Sequence, residues 1–340
     1  MAGDGYRVGV LGATGLVGTA ILELLAARDF PVAEVIPFAS ERSVGRELPW
    51  NGSTLTCQAL SENSIQGLDV VLSSAGGAVS AEWTPRLVEA GATVVDNTSY
   101  WRMHDDVPLV VSEVNPDALQ GHRGIIANPN CSTMQMVVAL KPLLDAAGIE
   151  RLVVSTYQAV SGTGKAAIDE LREQSRAVLD GEEPAAGVYP HPIAFNALAQ
   201  AGKFPDGDDH TDEERKLINE TRKILDDPAI RVSATCVRVP VVTGHSEAVN
   251  VETREDLSPE RARELLEAAP GVTVVDDPAA GRYPQATEAA GKDDVFVGRI
   301  RRDPGNERAL DLWIVSDNLR KGAATNTVQI AEALAERNLL

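Results

Sequence analysis

An apolar strand, Tyr6 to Leu11, runs directly into Gly12-Ala13-Thr14-Gly15-Leu16-Val17-Gly18 and then into a helical pattern with Val17, Ile21, Leu24 and Leu25 on one face. No other stretch narrows the fold as much. Glycines here let the backbone approach a pyrophosphate, whose charge is stabilised by the helix N-terminus. The spacing is G-x-x-G-x-x-G rather than G-x-G-x-x-G, and a glycine pattern alone says little. The strand before it, the helix after it and a further strand about ten residues on give it meaning.

The second strand, Glu34 to Ala39, ends without the acidic residue that bonds the ribose 2′-hydroxyl of NAD. The chain continues Ser40-Glu41-Arg42-Ser43-Val44-Gly45, and two hydroxyls with a guanidinium suit a 2′-phosphate. NADP is therefore expected. Glu41 either opposes that phosphate or points to solvent. Alternation continues with strands at Leu68 to Ser74, Thr93 to Thr98, Leu109 to Val114 and Gly124 to Ala127, and a helix from about Ala81 to Ala90. Runs such as Val70-Val71-Leu72 are nearly continuous apolar strands, as in a parallel sheet covered on both faces. The cofactor site is placed at Gly12, Thr14, Gly15, Leu16 and Val17, at Ser40, Arg42 and Ser43, and at Ser74, Ala75 and Gly76 after the next strand end.

The chain then reads Asn128-Pro129-Asn130-Cys131-Ser132-Thr133 between an apolar strand and a helical run (Met134, Val137, Val138, Leu140, Leu143, Leu144, Ala147). Asn130 or Ser132 caps that helix, which puts Cys131 at its positive end. Helix N-termini lower a thiol's pKa from about 8.5 toward neutrality, and the thiolate is the nucleophile. The Asn130 side chain and nearby N–H groups can stabilise an oxyanion formed when the sulfur attacks a carbonyl. Cys57 and Cys236 lack such a setting and read as small buried hydrophobes.

Past Cys131 the pattern changes. Arg151 to Val160 reads as a strand leading to Ser161-Gly162-Thr163-Gly164-Lys165 and a helix of about fifteen residues. Residues 181–211 form a long irregular segment of the kind that is functional or disordered. Its aspartates lack the glycine a calcium loop requires, so no metal site is expected. A helix follows from about Asp212. Arg231 to Val242 and Glu247 to Arg254 are strands close enough to pair as a hairpin across Thr243-Gly244-His245-Ser246. Strands at Val272 to Val275, Phe296 to Arg301 and Leu310 to Val315, with one helix near Ser258 to Ala269, predict a mixed or antiparallel sheet. A last helix spans Ala323 to Asn338. Of the five histidines, His245 is the best-placed base for a nucleophilic cysteine. Gln158 offers an orienting amide and Arg238 a bidentate carboxylate clamp.

With 340 residues the expectation is two domains, since single cores stop growing at roughly 250–300 residues. The fold class is α/β, with a Rossmann-like dinucleotide-binding domain over residues 1–130, completed by a C-terminal helix at 321–340. A second, α+β domain covers 131–320. A formal net charge of −19 argues against nucleic-acid or acidic-membrane partners, and anionic ligands must be held by a few local cations. No run of about eighteen apolar residues predicts a membrane span. The first residues show no basic stretch and apolar run, so a secretory leader is not expected. Three scattered cysteines suit a reducing cytoplasm.

Asn128-Pro129-Asn130-Cys131-Ser132-Thr133, Tyr157-Gln158-Ala159-Val160-Ser161-Gly162, Cys236-Val237-Arg238-Val239-Pro240, Gly244-His245-Ser246 and Asn318 through Thr327 together resemble the motifs of the aspartate-semialdehyde dehydrogenases. With Gly12-Ala13-Thr14-Gly15 the resemblance covers nearly the whole chain. It implies NADPH-dependent reductive dephosphorylation of L-4-aspartyl phosphate to aspartate 4-semialdehyde, in the pathway to lysine (through diaminopimelate), threonine and methionine. It casts Cys131 as the thioester-forming nucleophile, His245 as acid and base, and Gln158 as the group that positions the intermediate. Arg238 then holds the α-carboxylate and Glu213 the ammonium group, while Lys216, Arg102 and Asn130 bind phosphate. Asn326 contacts the nicotinamide amide, and Ser161 and Gly162 line the cofactor site. A homodimer or tetramer formed through the second domain's sheet is implied as well. Glu41, and residues 181–211 outside Pro192 to Asn196, depart from the family pattern. A related acyl-phosphate reductase, acting on N-acetyl-glutamyl phosphate, shares the fold and chemistry, but an acetylated amine has no charge to meet Glu213. A non-catalytic NADP-binding regulator has no use for nucleophile, base and clamp together.

Overall fold

The computed structural model describes residues 5–28 and 30–340 and divides into two units, one containing the described residues up to Asn130 with Ala323–Leu340, the other Cys131–Gly322. In the first unit β1 (Tyr6–Leu11), α1 (Leu16–Ala27), β2 (Val32–Phe38), β3 (Glu47–Trp50), β4 (Ser53–Thr56), β5 (Val70–Ser73), α2 (Gly77–Glu89), β6 (Thr93–Asp96) and β7 (Ile125–Ala127) follow in order. A parallel five-stranded sheet is ordered β2-β1-β5-β6-β7. Its strands are apolar on both faces because both are covered. Val8, Val10, Leu72, Val95 and Ile126 join a core with α1 and with Val328, Ile330, Ala331 and Leu334 of the C-terminal helix (Asn326–Glu336). Val71, Val94 and Leu11 pack on the other side with Leu87 of α2. Each such buried side chain contributes roughly 1.5–3 kcal/mol.

Two sequence readings change in this unit. Leu109 to Val114 is not a strand. Leu109 makes one isolated bridge to Ala127, and the Asn115 side chain then draws the chain into a turn by accepting from Val111 N–H and donating to Leu109 C=O. The β3–β4 hairpin was absent from the expected elements, yet Asn51-Gly52 at its tip has φ of 44° and 74° and is a strong two-residue turn signal.

The second unit runs α3 (Cys131–Ala147), β8 (Ile149–Gln158), α4 (Lys165–Leu179), α5 (Asp212–Ile224), β9 (Arg231–Arg238), β10 (His245–Thr253), α6 (Pro259–Glu267), β11 (Val272–Val274), α7 (Ala286–Ala289), β12 (Val295–Asp303) and β13 (Asn306–Ser316). A mixed sheet is ordered β11-β12-β13-β10-β8-β9. The expected β9–β10 hairpin does not form. β8 lies between the two, parallel to β9 and antiparallel to β10, because residues 239–244 cross from one side of β8 to the other instead of turning back on β9. Thr211 and Glu214 start α5 with reciprocal bonds, the Thr211 hydroxyl accepting from Glu214 N–H and the Glu214 carboxylate accepting from Thr211 N–H. The last helix is also later than expected: residues 320–325 form a π-helical turn, and regular α-helix begins at Asn326.

Candidate active site

Sheet topology assembles one end of the second unit. β8 and β9 are parallel, so their last residues, Gln158 and Arg238, are register partners. β10 runs antiparallel to β8, so its first residue, His245, falls at the same end, opposite Ser316 of β13. The loop after β8 completes the cluster. A Cβ on Gly162 would lie 3.3 Å from Arg238 Nη1 and 3.3 Å from both Cε1 and Nε2 of His245, so glycine is what lets the loop pass between them. Asn318 ties the cluster together, its Oδ1 accepting from Gly244 N–H and its Nδ2 donating to Ser161 Oγ.

His245, Arg238, Gln158 and Glu213 are buried, while Lys216 and Asp212 are partly exposed. His245 is fully enclosed, and its Nδ1 accepts the Ala159 N–H at 2.9 Å. In the neutral ring the proton therefore sits on Nε2, which has no hydrogen-bond partner. Burial, and then the Arg238 guanidinium, pull the His245 pKa down to about 3 against the opposing pull of Glu213. Arg238 Nη1 donates to Ala159 C=O at 2.7 Å, while its Nε is buried without a partner. Gln158 accepts from the Thr156 hydroxyl and donates to Glu213 at 3.0 Å. Lys216 donates to the other Glu213 oxygen at 3.0 Å and to Asp212 at 3.4 Å. Cys236 lies beside this network with its thiol pushed far up by burial, as an inert cysteine should.

Cys131 is the first residue of α3 and is half-buried. Asn130 precedes the helix, in the cap position, and is buried. A Cβ on Gly322 would lie 2.9 Å from the Cys131 Cβ, so a glycine is required beside Cys131, a requirement the sequence reading missed. The irregular segment after α4 is ordered by that helix: Gln174 donates to Ala185 C=O and accepts from the N–H groups of Ile193 and Ala194, and Glu170 accepts from Val188 N–H. Tyr189 is among the buried residues of this stretch. Its hydroxyl lies 3.0 Å from Thr163 Oγ1 and its ring centre 6.0 Å from the Arg238 guanidinium carbon. Leu198 then pairs with Arg238 through both backbone bonds.

The first unit carries a cleft of about 440 Å³ lined by Gly12, Thr14, Gly15, Ser40, Glu41, Ser74 and Ala75, among others. Gly12 has φ of 75°, and a Cβ there would come 2.5 Å from Ser74 C=O. Helix α1, which opens with Leu16 and Val17, has no side-chain cap and no acidic residue in its first turn. An uncapped helix N-terminus beside a glycine cradle fits a dinucleotide pyrophosphate. Arg42 and Ser43 follow in the short turn after β2, and Gly76 precedes α2 with φ of 90°. Ser161 and Gly162 belong to the other unit, with His245 and Arg238. Arg102 is buried and donates to the carbonyls of Asn128 and Asn97. The Asn326 amide accepts from Ser112 N–H and donates to Val110 C=O and Asn128 Oδ1, so both of its hydrogens are engaged.

No helix among the described residues is long and apolar enough to cross a membrane, and no cluster of metal-ligating side chains occurs among them. Residues 7–122 match the family model of the semialdehyde dehydrogenase NAD-binding domain, and residues 140–321 that of the semialdehyde dehydrogenase dimerisation domain. The aspartate-semialdehyde dehydrogenase of Aquifex aeolicus is 55% identical, covering 99% of this chain and 100% of the relative. That of Bacillus subtilis is 49% identical, covering 99% and 100%. The crystal structure of aspartate semialdehyde dehydrogenase II from Vibrio cholerae superposes with a TM-score of 0.95 at 48% identity, over 98% of this chain and 99% of that one; it is also known complexed with ASA. The Candida albicans enzyme, solved with NADP, gives a TM-score of 0.75 at 28% identity over 99% and 100%. With two family models matched in order and full-length relatives at about half identity, the chain belongs to the aspartate-semialdehyde dehydrogenase family.

Proposed function

We propose that this chain converts L-4-aspartyl phosphate to L-aspartate 4-semialdehyde and phosphate with NADPH, through a thioester on Cys131. The observation that carries the reading is the meeting of Arg238, His245 and Gly162 at one end of the sheet, within the unit whose first helix starts on Cys131. Arg238 holds the substrate α-carboxylate: a buried guanidinium with an unpartnered Nε is a ready socket for it. Glu213 takes the ammonium group, which competes with Lys216 for its oxygens. Lys216, Arg102 and Asn130 receive the phosphate. These local cations overcome the repulsion that a chain of charge −19 exerts on an anionic substrate.

The Cys131 sulfur bonds to the acyl carbon as the bond to the phosphate oxygen breaks. The N-terminus of α3 favours the anionic sulfur, and Gln158 orients the thioester. Gly12, Thr14, Gly15, Ser40, Ser74 and Ala75 hold NADPH, which when bound supplies the hydride. Collapse of the reduced adduct returns the sulfur and releases the aldehyde. The product's place in lysine, threonine and methionine synthesis, and a cytoplasmic setting, follow on this reading.

The second unit pairs two copies of the chain through its sheet. Tyr157 and Tyr283 are exposed on this unit, and Ser246, Ala248, Tyr283, Arg299 and Trp313 line a groove of about 460 Å³. Sedimentation as a monomer at micromolar concentration overturns the pairing. The activity is tested by phosphate-dependent NADP reduction with L-aspartate 4-semialdehyde, beside N-acetyl-glutamate semialdehyde and the Cys131→Ala variant. Turnover of the aspartate compound, lost in the variant, is expected. Turnover of the acetylated compound alone moves the chain to the related reductase.

A further inference from the structure

Most of what helix α3 buries is apolar: Met134, Met136, Val137, Val138, Leu140 and Leu143 are all enclosed. Contacts of this kind have no direction, so they hold a helix against its neighbours without aiming it. Gln135 differs. It is fully buried and comes four residues after Cys131, so the two share a helix face about 6 Å apart along the axis. Its Oε1 accepts from the Ser316 hydroxyl at 2.6 Å, while its Nε2 is buried with no hydrogen-bond partner. One bond therefore aims this amide. Ser316, the last residue of β13, is itself fully buried and is the register partner of His245 on β10.

The chain that follows Ser316 reaches the same places from the other side. Gly322 N–H donates to Asp317 C=O at 3.0 Å, and the Asp317 carboxylate accepts from the N–H groups of Leu319, Arg320 and Gly291. This closes residues 317–322 into a fixed loop. A Cβ built on its Gly322 would lie 2.9 Å from the Cys131 Cβ and 3.6 Å from the Asn318 Cβ. Asn318 in turn accepts from Gly244 N–H and donates to Ser161 Oγ, both at 2.9 Å. One short segment thus bonds α3 through Gln135, touches Cys131 through Gly322, and holds the two loops that carry His245 and Gly162. From this arrangement, and resting on the thioester reading above, we infer that Ser316 is a positioning residue. Through Gln135 its hydroxyl fixes the seat of α3, and with it the place of Cys131 against the Asn318-bound loops.

Packing still holds α3 when this bond is lost, but its first turn is no longer aimed. A reacting atom misplaced by about 1 Å costs up to about a hundredfold in rate. The test compares the wild-type chain with Ser316→Ala, Gln135→Met and the double variant at 25 °C. It reads kcat and KM for L-aspartate 4-semialdehyde in phosphate with NADP, the rate of Cys131 alkylation by iodoacetamide, and Tm. The expected result is a kcat lower by about ten- to a hundredfold in each single variant, with KM and alkylation within about twofold of wild type. The thiol then keeps its helix end and Arg238 its surroundings, while the alignment between them is lost. Because one bond carries the effect, the double variant is expected to be no more than about twofold slower than either single one. A lower Tm with wild-type kcat overturns the inference and leaves Ser316 a purely structural residue. Losses that multiply in the double variant overturn it as well, as does alkylation that falls in step with kcat. Failure of the underlying reading looks different: the wild-type chain then leaves aspartate semialdehyde untouched, or Cys131→Ala turns it over.

Discussion

The two units bind charge by opposite means. In the first, the cleft is made of backbone: glycines at φ values closed to other residues, an uncapped helix end, and Ser40, Ser74 and Thr14 hydroxyls around open space. In the second, the cluster is made of side chains removed from water, each fixed by a neighbour: Arg238 by Ala159, His245 by Ala159, Glu213 by Gln158 and Lys216. A backbone cradle is indifferent to pH and tolerates solvent, which suits a cofactor that comes and goes. A buried cluster holds each group in one direction, which suits chemistry at a single carbon.

The largest expected effect comes from breaking the cradle alone. Gly12→Ala places a Cβ 2.5 Å from Ser74 C=O on a residue with φ of 75°. Strain of about 1–3 kcal/mol weakens NADP binding by roughly ten- to a hundredfold, while Cys131 alkylation keeps its wild-type rate. Titration of NADP by protein fluorescence, beside an alkylation time course, checks both halves. Loss of alkylation along with binding means that the two units do not divide the work as described.

A smaller effect separates Arg238 from its support. The Tyr189 ring and the Leu198 backbone lie against this arginine, so the irregular segment after α4 buttresses the guanidinium proposed to hold the α-carboxylate. Tyr189→Leu is expected to raise the KM for aspartate semialdehyde about fivefold with kcat held within about twofold, and Tyr189→Phe to retain wild-type values, because the ring face and not the hydroxyl attracts the guanidinium. A Phe variant as impaired as Leu transfers the role to the bond with Thr163.

The same contrast explains what the sequence reveals. A cradle built from backbone needs particular residue types, so Gly12, Gly15 and the strand–helix context are readable, and so is Cys131 on its helix end. Asn51-Gly52 was equally readable as a hairpin. The β9–β10 pairing was misread because nearness in sequence suggests a hairpin, whereas the strand that separates them, β8, comes from about eighty residues earlier. The cluster's residues were legible as motifs, but not their state. The donor that fixes His245 is the N–H of Ala159, and a backbone amide has no signature in the side chain that carries it. Gly322 beside Cys131 is likewise set by a close approach that only the folded chain shows.

The smallest effect on turnover, and the cleanest on stability, comes from Glu247, two residues after His245 on β10. It is fully buried, and neither oxygen has a hydrogen-bond partner. Burial pushes its pKa well above the usual carboxylate range. The folded chain therefore keeps a proton that the unfolded chain releases above about pH 4.5. Stability from this group is fully present below that pH and falls as pH rises toward the folded value, at about 1.4 kcal/mol per unit while the two states differ by one proton. Glu247→Gln keeps the shape and removes the ionisation. Thermal melts of both proteins from pH 5 to pH 8 are expected to show the variant gaining on the wild type steadily, by a few degrees in Tm at the alkaline end, with turnover at pH 7 little changed. A difference in Tm that is the same at every pH means that Glu247 is ionised in the folded chain. Buried charge would then extend along β10 to a position two residues past His245, and the contrast between an open cradle and a neutral strand interior would fail there.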